Sequence, residues 1–309
     1  MLAGKFATAN YVGRFAPSPT GPLHFGSLIA AVASYCDAKA NNGKWLLRIE
    51  DIDQPREMPG AADDILRTLE GFGFAWDGEV VVQSQRHAHY EKALQQLQQL
   101  VYPCTCSRKE IADSSNQMGF EGHIYPKTCF NQPCFSKPKV ETSIHAAFRV
   151  ITTNKSIIFT DAIQGDVHQK LATDIGDFVL KRADGYFAYQ LAVVVDDAAQ
   201  GITHIVRGAD LLNSTPRQIY LQQLLGFATP NYAHVPIAVN KMGEKLSKQT
   251  LAEPISMGFA GHQLLSALQF LGQHPPIELQ NAALSELWAW AITHWQMSNI
   301  PHQININYD

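Results

Sequence analysis

The sequence predicts an α/β protein with a parallel sheet, and two observations support this prediction. In the first 70 residues, short apolar runs alternate with segments of helical periodicity. Asn, Pro and Gly separate these segments, so that each one has a recognisable end. Strand, helix, strand, helix is the order typical of a parallel α/β sheet. Ligands of such sheets bind at the carboxyl ends of the strands.

The first half of the chain supplies these elements in order. A buried strand is predicted at 11–16, and Leu28, Ile29 and Val32 then recur at helical spacing in a helix that ends near residue 42. A second strand at 45–49 leads into acidic residues, and an amphipathic helix follows Pro59. A further helix is predicted at 86–101, before a cysteine-rich insert.

The second half returns to the same core. Strands are predicted at 147–151, 156–160, 178–181, 202–206 and 235–239, with a buried apolar element at 188–196. A helix is predicted to begin with Thr215 as its cap and Pro216 in its first turn. From about residue 260 the sequence predicts helices, followed by a polar tail at 299–309.

Composition narrows the class of protein. At 309 residues the chain can form one large or two modest domains, and 46% hydrophobic with 17% charged residues is ordinary for a soluble protein. No apolar run is long enough for a membrane span, and the first ten residues do not resemble a secretory signal. We therefore expect a cytoplasmic protein without membrane contact. A net charge of −4 indicates no overall attraction to nucleic acid.

Two distant segments have features that suit a bound nucleotide. PSPTGPLHFGS at 17–27 is a turn-rich strand exit that opens into a helix, with His24 at its start. A helix N-terminus offers free N–H groups and a partial positive charge to phosphate. KLSKQ at 245–249 places two lysines around Ser247 on a loop, and full positive charges suit a leaving pyrophosphate.

Each segment also has a plainer interpretation. A lone histidine at a helix start is most often solvent-exposed, but the glycine and prolines around His24 favour close backbone approach to a phosphate. Lys-x-x-Lys alone is a weak signal of an exposed loop, and its position after the predicted strand at 235–239 strengthens it.

The insert carries four of the five cysteines: Cys104, Cys106, Cys129 and Cys134. An odd total argues against a disulfide framework. A tetrahedral zinc ion needs four ligands, and thiolate chemistry alone favours Cys134 as the fourth. Such a site would stabilise an insert that has few apolar residues. Free reduced thiols are the alternative, and Cys36, on an apolar helix, is predicted to be buried packing.

Longer motifs connect these segments to a family. RFAPSPTG at 14–21, RIEDID at 48–53, YQLAVVVDDA at 189–198 and GITHIVRGADLL at 201–212 together resemble the catalytic core of glutamyl-tRNA synthetases, which are class I aminoacyl-tRNA synthetases. The resemblance covers about residues 11–250. The short C-terminal part and the Cys-x-Cys insert are similar to one branch, the glutamyl-queuosine tRNA(Asp) synthetases. That branch attaches glutamate to the base queuosine in the anticodon of tRNA(Asp).

The resemblance implies a Rossmann-like class I catalytic core with a zinc-bearing insert and a small helical C-terminal part. The expected divisions are 1–101 and 147–250 for the two halves of the catalytic domain, 102–146 for the zinc insert, and 251–309 for the helical part, without an anticodon-binding domain. It also implies roles for particular residues. The catalytic residues are His24 and Lys248, and those expected to bind ATP are His24, Gly26, Ser27, Lys245, Ser247 and Lys248.

A site for glutamate needs cationic or polar side chains for the two carboxylates and an acidic side chain for the ammonium group. The resemblance assigns these roles to Arg14, Ser18, Glu50, Tyr189 and Arg207. Arginine suits planar carboxylates, Glu50 suits the ammonium, and which arginine holds which carboxylate stays open. The resemblance favours Tyr125 over Cys134 as the fourth zinc ligand, beside Cys104, Cys106 and Cys129. Ser27 and Gln249 stand where the family usually has histidine and serine.

The implied reaction uses ATP with Mg²⁺ to activate glutamate and then transfers it to queuosine in tRNA(Asp). One alternative is a stand-alone glutamyl-tRNA synthetase that acts on a tRNA 3′ end. Another is a catalytically inactive paralogue that binds tRNA or an amino acid. Because His24, Lys248, Arg14, Glu50 and Arg207 are all present, the sequence favours an enzyme.

Overall fold

The computed structural model describes residues 11–115, 117–120, 122–131, 146–245 and 253–308. Two sets of parallel strands form the centre of the molecule. The first set is β1 (Val12–Phe15), β2 (Lys44–Ile49) and β3 (Val81–Val82), with β2 in the middle. In chain order the next strands are β4 (Val101–Cys104), β5 (Met118–Gly119), β6 (Gly122–His123), β7 (Ala147–Val150), β8 (Ser156–Asp161), β9 (Gly165–Lys170) and β10 (Val179–Lys181).

The second parallel set is β11 (His204–Gly208) with β12 (Asn231–Val235). The two sets adjoin because the Thr203 N–H donates to the Val12 carbonyl at 2.9 Å, and the Val12 N–H donates to the Thr203 hydroxyl at 2.8 Å. The predicted parallel α/β arrangement is therefore confirmed. The last strands are β13 (Ile237–Val239) and β14 (Asn305–Asn307), which pair in parallel.

The helices pack around these strands. In chain order they are α1 (Phe25–Ala40), α2 (Ala61–Gly71), α3 (His87–Gln96), α4 (Arg108–Ser114), α5 (Thr128–Asn131), α6 (Leu171–Asp174), α7 (Tyr189–Ala199), α8 (Thr215–Leu225), α9 (Ala260–Phe270) and α10 (Leu284–His294). Short 3₁₀ turns lie at Gln54–Arg56, Gln83–Arg86, Ala209–Ser214, Met257–Phe259, Ile277–Asn281 and Met297–Asn299. Helix α1 is buried along most of its surface because it packs between the sheet and α9 and α10.

Two large hydrophobic clusters hold this arrangement. One joins α1 and the first strands to the C-terminal helices, and the other joins α3, α7 and α8 to the strands around them. A third, small cluster in the insert contains Tyr102, Tyr125 and two cysteines. Cys36 lies in the first cluster with no exposed surface, as its position on an apolar helix predicted. Among the described residues, the cluster in the insert contains far fewer buried apolar side chains than either of the other two clusters.

Three local predictions are wrong. Ser214, not Thr215, precedes α8, because the Thr215 hydroxyl is buried and accepts a hydrogen bond from Arg207 at 2.9 Å instead. The predicted strand at 235–239 is divided at Pro236, which has no N–H to donate to a ladder. The helix predicted at 86–101 ends at Gln96, since Val101 begins β4 and pairs with β7.

The polar tail contains strand β14, which the sequence did not predict. The Tyr308 N–H donates to the Val239 carbonyl at 3.0 Å, and the Tyr308 ring stacks on Phe25 with centroids 3.9 Å apart. Phe25 belongs to the first predicted ATP-binding segment, and Val239 ends the strand that precedes the second, so the tail packs beside the chain that leads into both.

We expect Tyr308→Ala to lower the free energy of unfolding by about 1–2 kcal/mol, because it removes ring stacking and apolar burial. Chemical denaturation measures the effect, with Tyr308→Phe as the matched variant that keeps the ring. Equal stabilities of the Ala variant and the natural protein would show that the stacking contributes nothing.

Candidate functional site

A cleft of about 790 Å³ opens where β1, β2, β11 and β12 end. Residues from all four strand ends line it, as the parallel topology requires. Every described residue that is predicted to bind glutamate or ATP also lines this cleft: Arg14, Ser18, His24, Gly26, Ser27, Glu50, Tyr189, Arg207 and Lys245. Ser247 and Lys248 lie outside the described residues, so their assignment stays a prediction.

His24 occupies the N-terminus of α1. Its backbone is extended, and its Nδ1 accepts a hydrogen bond from the Ser27 N–H at 3.3 Å. The Ser27 hydroxyl lies 3.2 Å from Nε2 of the same ring. Ser27, which stands where the family usually has a second histidine, therefore holds the orientation of His24. Gly21 has a φ of 137°, a backbone conformation that favours glycine.

The chain that follows the lysine loop returns to this segment. The Ile255 N–H donates to the Leu23 carbonyl at 3.0 Å, and His24 and Pro254 form an antiparallel bridge. On the other side of the loop, Lys245 forms an ion pair with Asp210, which also lines the cleft. The described residues on both sides of the lysine loop, Lys245 before it and Pro254 and Ile255 after it, thus lie beside the cleft.

A buried ionic network supports the floor of the cleft. Arg14 donates from Nε to Asp197 at 3.2 Å and from Nη2 at 3.4 Å, in a two-point contact. Arg48 donates to Asp197 at 2.8 Å and to Glu50 at 3.1 Å. All four side chains are less than 8% exposed. Two guanidinium groups and two carboxylates therefore balance one another inside the protein.

Burial and charge act in opposite directions on these carboxyl groups. Burial alone raises the pKa of Asp197, but Arg14 and Arg48 outweigh it and the net pKa lies below its usual range. Burial raises the pKa of Glu50, and Arg48 and Arg14 offset only part of that rise. Arg48 and Arg14 thus neutralise the Glu50 carboxylate only in part, and the ammonium group of a bound amino acid would supply further positive charge.

Arg207 has a different environment. Its Nη2 donates to Thr215 at 2.9 Å and to Gln218 at 2.7 Å, its Nε donates to His234 at 3.0 Å, and Nη1 lies 3.4 Å from the Tyr189 hydroxyl. These partners are all uncharged groups, and the side chain is buried. Within the described part of the chain, no carboxylate lies within 4.0 Å of this guanidinium.

The insert brings a second group of predicted residues together. The sulfurs of Cys104, Cys106 and Cys129 lie within 4.8 Å of one another. The Tyr125 hydroxyl oxygen lies 3.3 Å from the Cys104 sulfur and 3.7 Å from the Cys106 sulfur, and the Cys106 and Cys129 sulfurs are 3.5 Å apart. Cys134 lies outside the described residues.

The three donor-atom distances of 3.3, 3.5 and 3.7 Å are close to those in a tetrahedral zinc site. Zn–S bonds of about 2.3 Å and Zn–O bonds of about 2.0–2.2 Å place neighbouring ligand atoms about 3.5–3.8 Å apart. Arg149 lies over the Tyr125 ring at 4.1 Å, in a cation–π contact. Burial raises the pKa of the Tyr125 hydroxyl, so a phenolate ligand would form only with a bound metal ion beside it. Cys129 is disulfide-bonded, so metal binding through its sulfur requires that bond to be reduced.

Sequence reasoning missed several buried polar residues around the cleft. Three of them, Arg48, Asp197 and His234, have 5% or less exposed surface. Each forms a hydrogen bond with a residue that is predicted to bind the substrate glutamate. A usable signal was present: each is a charged or polar residue inside or at the end of an apolar run. Buried polar side chains need partners, so such positions indicate a network.

The fold and the cleft define a class of protein. A family model for the catalytic domain of class I tRNA synthetases (E and Q) matches residues 11–265. Glutamate-tRNA synthetase from Elizabethkingia anophelis has the same fold, with a TM-score of 0.75, 23% identity, and coverage of 97% of this chain and 68% of that one. A glutamate tRNA ligase from Elizabethkingia meningosepticum, solved with its amino acid, gives the same TM-score and identity.

Curated relatives narrow this class. Glutamyl-Q tRNA(Asp) synthetase from Aromatoleum aromaticum is 56% identical over 96% of this chain and 93% of its own length. The protein of that name from Dechloromonas aromatica is 55% identical over 95% of this chain and 96% of its length. The chain therefore belongs to the glutamyl-Q tRNA(Asp) synthetase family, within the class I tRNA synthetases. Among the described residues, no helix combines the length and apolar character of a membrane span.

Proposed function

We propose that the protein is a ligase that activates glutamate with ATP and transfers it to queuosine in the anticodon of tRNA(Asp). The observation that carries this proposal is identity above 50% over nearly the whole chain to proteins named for this activity. The cleft at the strand ends supports this reaction, because the described residues that are predicted to bind glutamate and ATP line it together.

In the proposed first step, an α-carboxylate oxygen of glutamate attacks the α-phosphorus of ATP, supplied as its Mg²⁺ complex. The bond from that phosphorus to the bridging oxygen breaks, and pyrophosphate leaves with the electron pair. No side chain acts as a nucleophile, so positioning and charge stabilisation supply the catalysis. His24 at the start of α1, with Lys245 and Lys248, is placed in this proposal beside the phosphates.

In the proposed second step, a hydroxyl of queuosine attacks the carbonyl carbon of glutamyl-adenylate. An ester forms, AMP leaves, and the hydroxyl proton is released. The cis-diol of queuosine is similar to the 2′,3′-diol of a terminal ribose, so a core built for a tRNA end would accept it with modest change.

The structure also bears on which arginine takes a substrate carboxylate. Arg14 is already neutralised by its two-point contact with Asp197. Arg207 is buried among uncharged partners and has no carboxylate within 4.0 Å among the described residues. A buried charge without a counterion is costly, and an incoming carboxylate removes that cost. We therefore assign the stronger carboxylate contact to Arg207.

The proposed activity is tested with ATP, radiolabelled glutamate and tRNA(Asp) prepared with or without queuosine. Label is expected only on the queuosine-containing tRNA, and enzymatic removal of the 3′-terminal adenosine from that tRNA should leave its labelling unchanged. Labelling of both tRNAs, or labelling that requires an intact 3′ end, would favour a stand-alone glutamyl-tRNA synthetase. Absence of glutamate-dependent ATP–pyrophosphate exchange would favour an inactive paralogue.

The lysine loop supplies a second prediction. We expect Lys248→Ala to lower glutamate-dependent ATP–pyrophosphate exchange about 100-fold or more, because a charge aimed at the departing pyrophosphate is lost. Glutamate binding, measured by calorimetry, should stay unchanged. Lys44→Ala is the matched control, since Lys44 is exposed at the opposite end of β2. Exchange as fast as that of the natural protein would exclude Lys248 from the reaction.

We also propose that the insert binds one structural zinc ion through Cys104, Cys106, Cys129 and Tyr125. The support is the spacing of these donor atoms and the small apolar cluster around them. Zinc would hold the insert together, and no step of the reaction passes through it. A cytoplasmic location is part of the same proposal, because ATP, glutamate, tRNA and reduced thiols are found together there.

Protein purified under reducing conditions is expected to contain about one zinc per chain by plasma mass spectrometry. Cys104→Ser should lose most of the metal and make the insert more sensitive to protease. Cys36→Ala, which changes a cysteine buried elsewhere, should keep it. Tyr125→Phe distinguishes the fourth ligand: full zinc content in that variant would favour Cys134.

A further inference from the structure

A buried pair of side chains lies behind Arg207. Nδ1 of His234 on β12 is 2.6 Å from Oδ2 of Asp161 at the end of β8, and neither side chain has exposed surface. Nε2 of the same ring accepts the Arg207 Nε–H at 3.0 Å. Neither Asp161 nor His234 lines the cleft, whereas Arg207 does. The three side chains thus form a chain from the protein interior to the cleft.

The hydrogen bonds determine the state of the histidine. An arginine N–H can only donate, so Nε2 of His234 must accept and the ring proton must be on Nδ1. Nδ1 then donates to Asp161. Burial is the main factor that lowers the pKa of His234, to about 4, although Asp161 opposes this effect. The ring is therefore neutral near pH 7, in one defined tautomer.

Asp161 is itself fixed by the backbone. Its Oδ1 accepts the N–H groups of Ile163 at 3.0 Å, Gln164 at 2.9 Å and His234 at 3.0 Å. Burial is the largest single factor and raises the pKa of this carboxyl, but the contact with His234 and the backbone N–H groups together outweigh it, so the net shift is downward. A charged, fully bonded carboxylate thus orients the imidazole, and the imidazole orients the guanidinium.

The remaining contacts show which part of Arg207 is left for a ligand. Both N–H groups of Nη2 are occupied by Thr215 and Gln218, and the Nε–H is occupied by His234. For the two N–H groups of Nη1, the described residues supply only the Tyr189 hydroxyl, at 3.4 Å. Nη1 is therefore the nitrogen with donor capacity left, and its direction depends on how the rest of the guanidinium is held.

We propose that Asp161 and His234 are positioning residues for glutamate recognition, which orient Arg207 so that Nη1 meets a substrate carboxylate. The inference rests on the proposed activation of glutamate. Both residues act through Arg207 and touch no substrate. Loss of either is expected to weaken use of glutamate while leaving use of ATP nearly unchanged, because their contacts lead to Arg207 and not to the His24 segment.

Three substitutions separate this role from a general structural one. Asp161→Asn keeps an oxygen for the backbone N–H groups but presents an amide N–H to the Nδ1 proton, which favours the other histidine tautomer. Nε2–H and the Arg207 Nε–H would then be two opposed donors. His234→Asn keeps a donor near Asp161 and loses the acceptor for Arg207. His234→Gln places an acceptor near the Nε2 position and should behave most like the natural protein.

The test is steady-state ATP–pyrophosphate exchange, with KM measured for glutamate and for ATP. We expect Asp161→Asn and His234→Asn to raise KM for glutamate about tenfold or more, with KM for ATP changed less than about twofold. His234→Gln should show a smaller rise. Asp166→Asn, an exposed change in the same hairpin, is the control. Unchanged KM for glutamate, or equal rises for both substrates, would overturn the inference.

A second measurement is independent of activity. Nitrogen-15 NMR of histidine-labelled protein should show His234 with a protonated Nδ1 and an unprotonated Nε2, and Asp161→Asn should change this pattern. A protonated Nε2 in the natural protein would refute the positioning role directly. If the natural protein shows no exchange with glutamate, the proposed function fails, and the NMR result still decides whether the pair holds Arg207.

Discussion

Arg207→Gln is expected to lower kcat/KM for glutamate about 10²- to 10³-fold. The substitution removes a buried charge that the described residues leave without a carboxylate partner, and with it the main compensation for a substrate carboxylate. A 10²- to 10³-fold loss corresponds to about 2.8–4.2 kcal/mol, close to the roughly 3–5 kcal/mol that loss of one partner of a buried charge pair costs. The measurement is ATP–pyrophosphate exchange as a function of glutamate concentration.

Arg207→Lys is the matched variant, because it keeps the charge but loses the planar fork. It should recover only part of the activity, since one ammonium cannot donate to His234, Thr215 and Gln218 with the same geometry. Thermal unfolding serves as the control for folding. An Arg207→Gln protein that folds normally and keeps its KM for glutamate would show that Arg14 provides the carboxylate contact.

The largest expected effect on stability comes from Asp197→Ala, which should lower the free energy of unfolding by about 3–5 kcal/mol. Asp197 joins Arg14 and Arg48, and all three side chains are 4% exposed or less. Removing the carboxylate leaves two buried guanidinium groups with Glu50 as their remaining acidic partner in this network. Urea denaturation measures the change. Asp197→Asn, which keeps an acceptor oxygen and the volume, should lose less.

The advantage of the natural protein over Asp197→Asn should depend on pH. The pKa of Asp197 is lowered in the folded protein, since Arg14 and Arg48 outweigh burial. Its contribution to stability is therefore complete above the unfolded value of about 3.9 and is lost as pH falls through the lower folded pKa. Denaturation at pH 7 and near pH 3 tests this sign. A difference that grows on acidification would contradict the ionic role.

Much of the site could be predicted because its residues lie in continuous motifs. His24 is next to the turn that exposes it, Glu50 directly follows a strand, and Arg207 lies near the end of another. Local sequence therefore placed these residues at the carboxyl edge of the sheet, and the cleft there gathers them. The domain divisions stay predictions. The roles of individual residues also stay predictions, which the proposed variants test.

Sequence could not provide the partners of these residues. Arg14 pairs with Asp197, which is 183 positions away, and His234 pairs with Asp161, which is 73 positions away. Such contacts follow from how strands and helices pack, and no local periodicity encodes them. The same reason explains the error at Thr215: a good capping residue is used instead by a buried arginine.

Local sequence is sufficient to predict the α/β class, the order of most elements and the candidate ligands for ATP, glutamate and metal, because these follow from hydrophobic period, turn residues and motifs. Which charges neutralise one another depends instead on the three-dimensional packing. It paired Arg14 with Asp197, left Arg207 among uncharged groups, and brought the C-terminal strand against β13. The physical reason is that burial makes the energy of a charge depend on its neighbours in space, and those neighbours come from distant parts of the chain.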